Sequence, residues 1–180
     1  MTIQTNKNEP DANSIVAVIR PALEQDIPVI RDIYNYFVSN STATFATAEE
    51  SLAERKEWFA SHQNNALPIV VAEYDGHVVG WASFSYYHQR CAYRQTVEIS
   101  FYIHHQYVGR GIGSLLAEDL LRRARSNGYH CVVSLVCSEN ESSIALLKKF
   151  DFETVGVLRE VGRKFDRWLD VTLLQKLLET

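Results

Sequence analysis

The chain is predicted to fold as a single-domain α/β protein, an α+β arrangement around one mixed sheet, and three observations lead there. Its 180 residues, 46% hydrophobic and 22% charged, amount to one core's worth of chain. Period-two apolar runs are interspersed with segments of helical spacing, in the order strand, two helices, three strands, helix, strand, helix, two strands. The strand, helix, strand unit over residues 95–137 needs a parallel pair at the centre of the sheet, and hairpins make the remainder antiparallel.

Residues 1–14 (MTIQTNKNEPDANS) carry almost nothing apolar and are expected to be a disordered tail, leaving 15–180 as the folded domain. Ile15 to Ile19 reads as a short strand ended by Arg20 and Pro21. Asp26 is a plausible N-cap with Pro28 in the first turn, and Ile27, Ile30, Ile33, Tyr34 and Phe37 fall on one helical face. Thr47 and Glu50 have capping-box spacing for a second helix through Leu52, Arg55, Trp58 and Phe59, ending near His62. Ile69 to Glu73 and His77 to Tyr86 flank an Asp75-Gly76 turn and read as a hairpin. In the third run, Gln95 to Ile103, the apolar Val97, Ile99, Phe101 and Ile103 alternate with Thr96, Glu98, Ser100 and Tyr102.

The next helix places Ile112, Leu115, Leu116, Leu120 and Ala124 on one face and stops at Gly128. Cys131 to Cys137 is nearly all apolar, the pattern of a strand buried on both faces. A short helix over Ser142 to Phe150 follows. Thr154 to Val161 and Trp168 to Leu174 are predicted strands joined by the polar turn GRKFDR.

Several functional classes are disfavoured by composition. Eighteen basic against twenty-two acidic residues give a net charge of −4, with no global field to gather a phosphate backbone, so nucleic acid is not the expected partner. No run approaches the roughly 18 apolar residues of a membrane span, and the N-terminus lacks a signal-peptide pattern, so no membrane partner and a cytoplasmic location are expected. Cys91, Cys131 and Cys137 contain no CxxC pair and read as reduced, buried packing residues. The six histidines show no HxxxH or HExxH spacing, and no metal site is expected. Trp58, Trp81 and Trp168 read as core or interface residues.

Gly109, Gly111 and Gly113 stand between a strand ending at Ile103 and a helix starting near Ile112. Successive amides in such a turn, with the positive helix end behind them, can receive a phosphate or pyrophosphate; a flexible strand-to-helix turn is the plain alternative. The loop has no GK[ST] ending, and Ser114 stands where a GxGxxG fingerprint needs its third glycine.

VGRGIGSLLAEDLL resembles the pyrophosphate loop and following helix of the GNAT acetyltransferase superfamily, whose pattern is [QR]xxGx[GA]. IYNYFVSNSTATF, GWASFSYYHQRCAYRQTVEISFYI, SENESSIALLKKFDF and VGRKFDRWLDV follow the order of its phosphinothricin acetyltransferase-like branch, over roughly residues 19–177. The resemblance implies a GNAT acyl-CoA N-acyltransferase fold, acetyl-CoA as co-substrate, a small-molecule amine as acceptor and a homodimer. The acceptor it points to is an amino acid or analogue such as phosphinothricin, methionine sulfoximine or methionine sulfone. A peptide N-terminal or polyamine acetyltransferase, or a CoA-binding sensor without turnover, are the alternatives.

Carried over by resemblance, Phe101, Tyr102 and Ile103 match the strand segment that pairs with pantetheine. Val108, Gly109, Arg110, Gly111, Ile112 and Gly113 match the pyrophosphate loop, with Val108 departing from Gln or Arg. Asn140 matches a cofactor-contacting Asn, though on its own it reads as a helix cap. Glu98 matches the carboxylate proposed as general base, which an ammonium acceptor requires; on its own it reads as a solvent-facing or Arg-paired strand residue. Phe45, His88 and Tyr93 are carried over as acceptor contacts, His88 standing where the branch commonly has Arg. Leu147 replaces a frequent Tyr or His, and Asp151 a usual Gly. Arg122, Arg123 and Arg125 are either a solvated helix face or contacts to the cofactor's outer phosphate.

Overall fold

The structure, a computed structural model, describes residues 16–62 and 66–179. The predicted tail and Ile15 lie outside the described residues. One seven-stranded sheet runs in the order β1-β2-β3-β4-β5-β7-β6, with β1 Val18–Pro21, β2 Ile69–Tyr74, β3 His77–Tyr86, β4 Thr96–Ile103, β5 Cys131–Cys137, β6 Glu153–Lys164 and β7 Arg167–Leu177. Only β4 and β5 pair in parallel; every other neighbour pair is antiparallel.

Helices α1 (Ile27–Asn40) and α2 (Leu52–Ser61) pack on one face, where Ile27, Ile30, Ile33 and Phe59 meet Ile69, Val71 and Trp81. Helices α3 (Ile112–Ser126) and α4 (Glu141–Lys149) cover the other, where Leu116, Leu120 and Leu147 meet Val70, Ala82, Val97, Ile99 and Leu174. Adjacent residues Val70 and Val71 therefore belong to different cores and are both fully buried. Towards β5 and β7 no helix covers the α1/α2 side: Leu135 is 43% exposed there, although Cys131 and Cys137 on the same face of β5 are buried. β5 is thus not sealed on both faces as its sequence predicts, because no helix covers that half of the sheet.

Other expectations are corrected locally. β1 includes Arg20 and Pro21, since Pro on an edge strand sacrifices no needed donor. Asp26 stands at the N-cap of α1 as expected, but its side chain makes no capping bond: its carboxylate accepts from the Leu23 amide at 2.8 Å and pairs with Arg20 at 2.6 Å. Burial alone would raise that carboxyl, but the bonds from Arg20 and Leu23 outweigh it and hold it below the usual range. The capping box of α2 is Ser51 with Glu54, one turn later than Thr47 with Glu50. Glu50 instead pairs at 2.7 Å with Arg55, whose buried guanidinium lies among the rings of Tyr34, Trp58 and Trp81. Cys91 is exposed, in a single 3₁₀ turn over Cys91–Tyr93, whereas Cys131 and Cys137 are buried as expected.

The last hairpin is longer than predicted. Most of GRKFDR is strand, and the turn is Phe165-Asp166 alone, both at positive φ. Between Leu158 and Gly162, β6 takes four residue steps while β7 takes two, a bulge with Glu160 at φ 50° whose amide donates to Asp170 at 2.7 Å.

Candidate active site

The site arises from a parting of strands. β4 and β5 are in register only from Thr96 to Glu98, opposite Cys131 to Val133. Beyond Glu98 they diverge, and a cleft of about 140 Å³ opens between Ile99–Ile103 on one side and Ser134–Val136 on the other. Phe37 and Ala43 wall it from the α1 side, while Val108, Asn140 and Ser142 lie toward its other end. Of the expected cofactor residues, Phe101, Tyr102, Ile103, Val108 and Asn140 border this cleft.

The glycine turn lies where β4 hands over to α3. Gly109 and Gly111 hold φ of 80° and 83°, a left-handed conformation that side chains resist. No side chain caps α3, and Ser114 and Leu115 donate back to the Gly111 carbonyl. The amides ahead of them have no intrahelical partner and form the positive end of a fifteen-residue helix. Gly113 serves a different purpose: a Cβ there would come within 2.8 Å of Leu146, so its absence lets α4 pack against α3. The turn suits a pyrophosphate, and the cleft suits an extended chain running from it along β4.

Asn140 does both things its sequence allows. Its Oδ1 caps α4, accepting from the Ser143 amide at 3.2 Å and the Ser142 hydroxyl at 3.0 Å, while the residue borders the cleft. Tyr102 sends its ring away, into an aromatic cluster with Tyr34, Phe37 and Trp81, where burial raises its phenol pKa beyond the ordinary value.

Glu98 stands at the point of divergence. Its carboxylate makes no hydrogen bond or ion pair with any described residue, and no ion pair joins it to Arg94. Desolvation by burial holds its carboxyl above the ordinary value of 4.5. An unpaired carboxylate with a raised pKa is suited to taking a proton.

A second cavity of about 290 Å³ adjoins the first across Leu135. Tyr87, Tyr93, Thr96, Val133, Leu173 and Gln175 line it, and no lining side chain is charged; Val133 is the register partner of Glu98, which itself lines neither cavity. Of the expected acceptor contacts, only Tyr93 lies here. His88 is exposed, tilted against Tyr93 at 5.0 Å, with its Nδ1 accepting from the Arg90 amide. Phe45 packs on Gly162 of β6, where a Cβ would overlap its ring. Nothing in the sequence marks Leu135, Leu173 or Gln175, since a strand residue carries no sign of whether a helix covers its face.

Three further positions resolve. Leu147 is wholly buried in the α3/α4 core, so a Tyr or His there would not face the cleft. Asp151 sits at φ 61°, the conformation that makes Gly usual there. Arg122 and Arg123, about 16 and 18 Å along α3 from Gly111, both pair with Asp119. Among the described residues no three His, Cys, Asp or Glu side chains converge as a metal site would require, and no helix is long and apolar enough to cross a membrane.

Residues 30–152 match the Acetyltransferase (GNAT) family. The L-methionine sulfoximine/L-methionine sulfone acetyltransferase of Pseudomonas aeruginosa is 39% identical over 164 residues, covering 91% of this chain and 95% of that protein. The phosphinothricin N-acetyltransferase of Streptomyces coelicolor is 34% identical, covering 89% and 95%. Among solved structures, an N-acetyltransferase from Staphylococcus aureus Mu50 superposes with a TM-score of 0.89 at 38% identity, over 92% of this chain and 100% of that one. A GNAT superfamily phosphinothricin acetyltransferase from Sinorhizobium meliloti, in complex with acetyl-CoA, gives 0.88 at 34% identity, over 91% and 89%.

Proposed function

The chain belongs to the acetyltransferase (GNAT) family, and from that premise we propose that it transfers acetyl from acetyl-CoA to the α-amine of a small, neutral amino acid of the methionine sulfoximine or methionine sulfone kind. The observation that carries this reading is the unpaired carboxylate of Glu98, which stands on β4 between Thr96, a wall residue of the uncharged cavity proposed for the acceptor side chain, and Ile99, the first wall residue of the cleft proposed for the donor.

Each step falls to a named part of the chain. The amides of Gly109 to Gly113 receive the pyrophosphate, and the β4 main chain from Phe101 to Ile103 pairs with the pantetheine arm, a job in which Val108 loses little by lacking a polar side chain. An amide near Phe101 polarises the thioester carbonyl. Glu98 removes one proton from the acceptor ammonium, freeing the lone pair for direct attack on the carbonyl carbon. As the tetrahedral intermediate collapses, the C–N bond is complete, the C–S bond breaks, and the thiolate leaves with the sulfur electron pair. The second amine proton passes to the thiolate or to solvent.

Neutral acceptors are favoured because no charged side chain lines the acceptor cavity, and a buried anion without a bidentate Arg partner is costly. Release of free thiol from acetyl-CoA, measured with methionine sulfoximine, methionine sulfone, phosphinothricin, a peptide and a polyamine, tests the proposal. The sulfoximine and sulfone should have the higher kcat/KM, and His88→Arg at the cavity rim should narrow the gap to phosphinothricin. Equal activity on all three amino acids, or a phosphinothricin preference that survives His88→Ala, refutes this view of the pocket; CoA binding without thiol release would mark a sensor.

Two copies are proposed to pair over the bare half of the sheet and its β6 edge, where Val155, Val157, Leu158 and Val161 are exposed. Sedimentation that reports only monomer at micromolar concentration would remove that element. The three free thiols fit a reducing, cytoplasmic setting.

A further inference from the structure

β6 and the segment between α1 and α2 are more than a hundred residues apart in sequence, yet they are fastened at two points. Lys164 is 4% exposed, and its ammonium donates to the main-chain carbonyls of Ser41 and Thr44 at 2.7 Å each and of Phe37 at 3.4 Å. No carboxylate among the described residues pairs with it. The cation is held by carbonyl dipoles at the C-terminal end of α1, where the negative helix pole favours it, and the Phe165 ring lies 5.1 Å away. Two residues earlier, Gly162 provides the second fastening, since only its missing side chain lets the Phe45 ring lie against β6.

Burying a lysine without a counter-ion is costly, so the contact calls for a reason beyond packing. What Lys164 immobilises is the stretch from Phe37 to Thr44, and that stretch supplies Phe37 and Ala43 to the wall of the cleft facing β5. We propose that Lys164 is a positioning residue: by tying residues 37–44 down on the β6/β7 hairpin, it fixes the wall against which acetyl group and acceptor are aligned. This inference rests on the reading of the cleft as the transfer site. The glycine turn, at the start of α3, is joined to residues 37–44 by no hydrogen bond among the described residues, and CoA affinity is therefore expected to be largely spared.

The test compares Lys164→Met, which loses the donors, with Lys164→Arg, which keeps them, and with Gly162→Ala, which displaces Phe45 and serves should Lys164→Met fail to fold. Hydrogen exchange of the substrate-free protein reads the fastening directly. Lys164→Met and Gly162→Ala are expected to speed exchange over residues 41–46 while β4 and α3 stay as in the parent. In kinetics the acceptor KM should rise about tenfold, CoA affinity by calorimetry should stay within about twofold, and Lys164→Arg should recover part of the loss. An unchanged acceptor KM overturns the inference. So does exchange that rises throughout the molecule together with a loss of CoA affinity, since that marks a purely structural lysine. Should the parent acetylate no amine at all, the transfer reading falls, while exchange at residues 41–46 still decides whether Lys164 holds the segment.

Discussion

Glu98→Gln isolates proton removal from every other demand on the site. The substitution preserves size and leaves untouched the β4 ladder, in which Glu98 lies opposite Ser85 on β3 and Val133 on β5. Without the carboxylate, the variant must wait for acceptor that is already free base. An aliphatic ammonium with a pKa of ~10.4 is free base in about one molecule in 2,500 at pH 7 and a peptide α-amine near ~8 in about one in ten, with the zwitterionic amino acid between them because its own carboxylate holds the proton more tightly. The expected fall in kcat/KM at pH 7 is therefore about ten- to 10³-fold, depending on the acceptor, and it should shrink about tenfold per pH unit as the acceptor deprotonates. Initial rates of thiol release between pH 6 and 10 measure it, with CoA affinity expected to be unchanged.

Stability supplies a second readout with a definite sign. The folded-state pKa of Glu98 lies above its ordinary 4.5, so the fold disfavours the ionised form. That penalty is absent below the unfolded pKa, grows as pH rises through the folded pKa and is complete above it. Gln carries no such penalty, and the variant should be at least as stable as the parent at pH 7, with the difference fading toward pH 4. Normal turnover at pH 7, or a deficit that does not change with pH, would show that the base is elsewhere.

Three other outcomes are expected. Gly111→Asp should weaken CoA and acetyl-CoA alike, through a strained left-handed residue costing about 1–2 kcal/mol and a negative charge beside the pyrophosphate; unchanged calorimetric affinity would refute the loop assignment. Leu147→His or Leu147→Tyr should lower stability by about 1–3 kcal/mol through overpacking while leaving kcat per folded molecule nearly unchanged, and a large gain in kcat would show that the side chain reaches the site after all. Asp151→Gly should stabilise the protein by about 0.5–1 kcal/mol in thermal unfolding, because relief at φ 61° exceeds the loss of an exposed ion pair to Lys176; a lower Tm would contradict this.

Order and type of elements were legible because both periodicities are strong, from Ile27 to Phe37 and again from Val97 to Ile103. The glycine turn was legible too, since positive φ leaves a residue-level mark. Hidden were features that depend on which partner wins. Thr47 and Ser51 both offer capping boxes, and the choice went to Ser51 because Glu50 is needed by buried Arg55. The outer part of β6 carries Arg, Glu, Gly and Lys, as an exposed and bulged edge strand can, and so its end resembled a loop. The parting of β4 and β5 leaves no trace in composition, because each strand keeps its own alternation whether or not its neighbour is there. Without that parting, neither the donor cleft nor the acceptor cavity could be drawn from the sequence.

The short register between β4 and β5 also bears on how this protein can change over time. On the proposed reading the donor is addressed by main-chain groups of Phe101 to Ile103 and of the glycine turn, and along β4 a side chain can be exchanged without altering a peptide N–H or C=O. The acceptor is met on the same reading by side chains, on Tyr87, Tyr93, Leu173 and Gln175, none of which borders the donor cleft. Mutational drift can therefore explore new amines one residue at a time while the acyl supply stays constant. A directed-evolution library confined to those four positions should yield altered acceptor range far more often than loss of CoA binding.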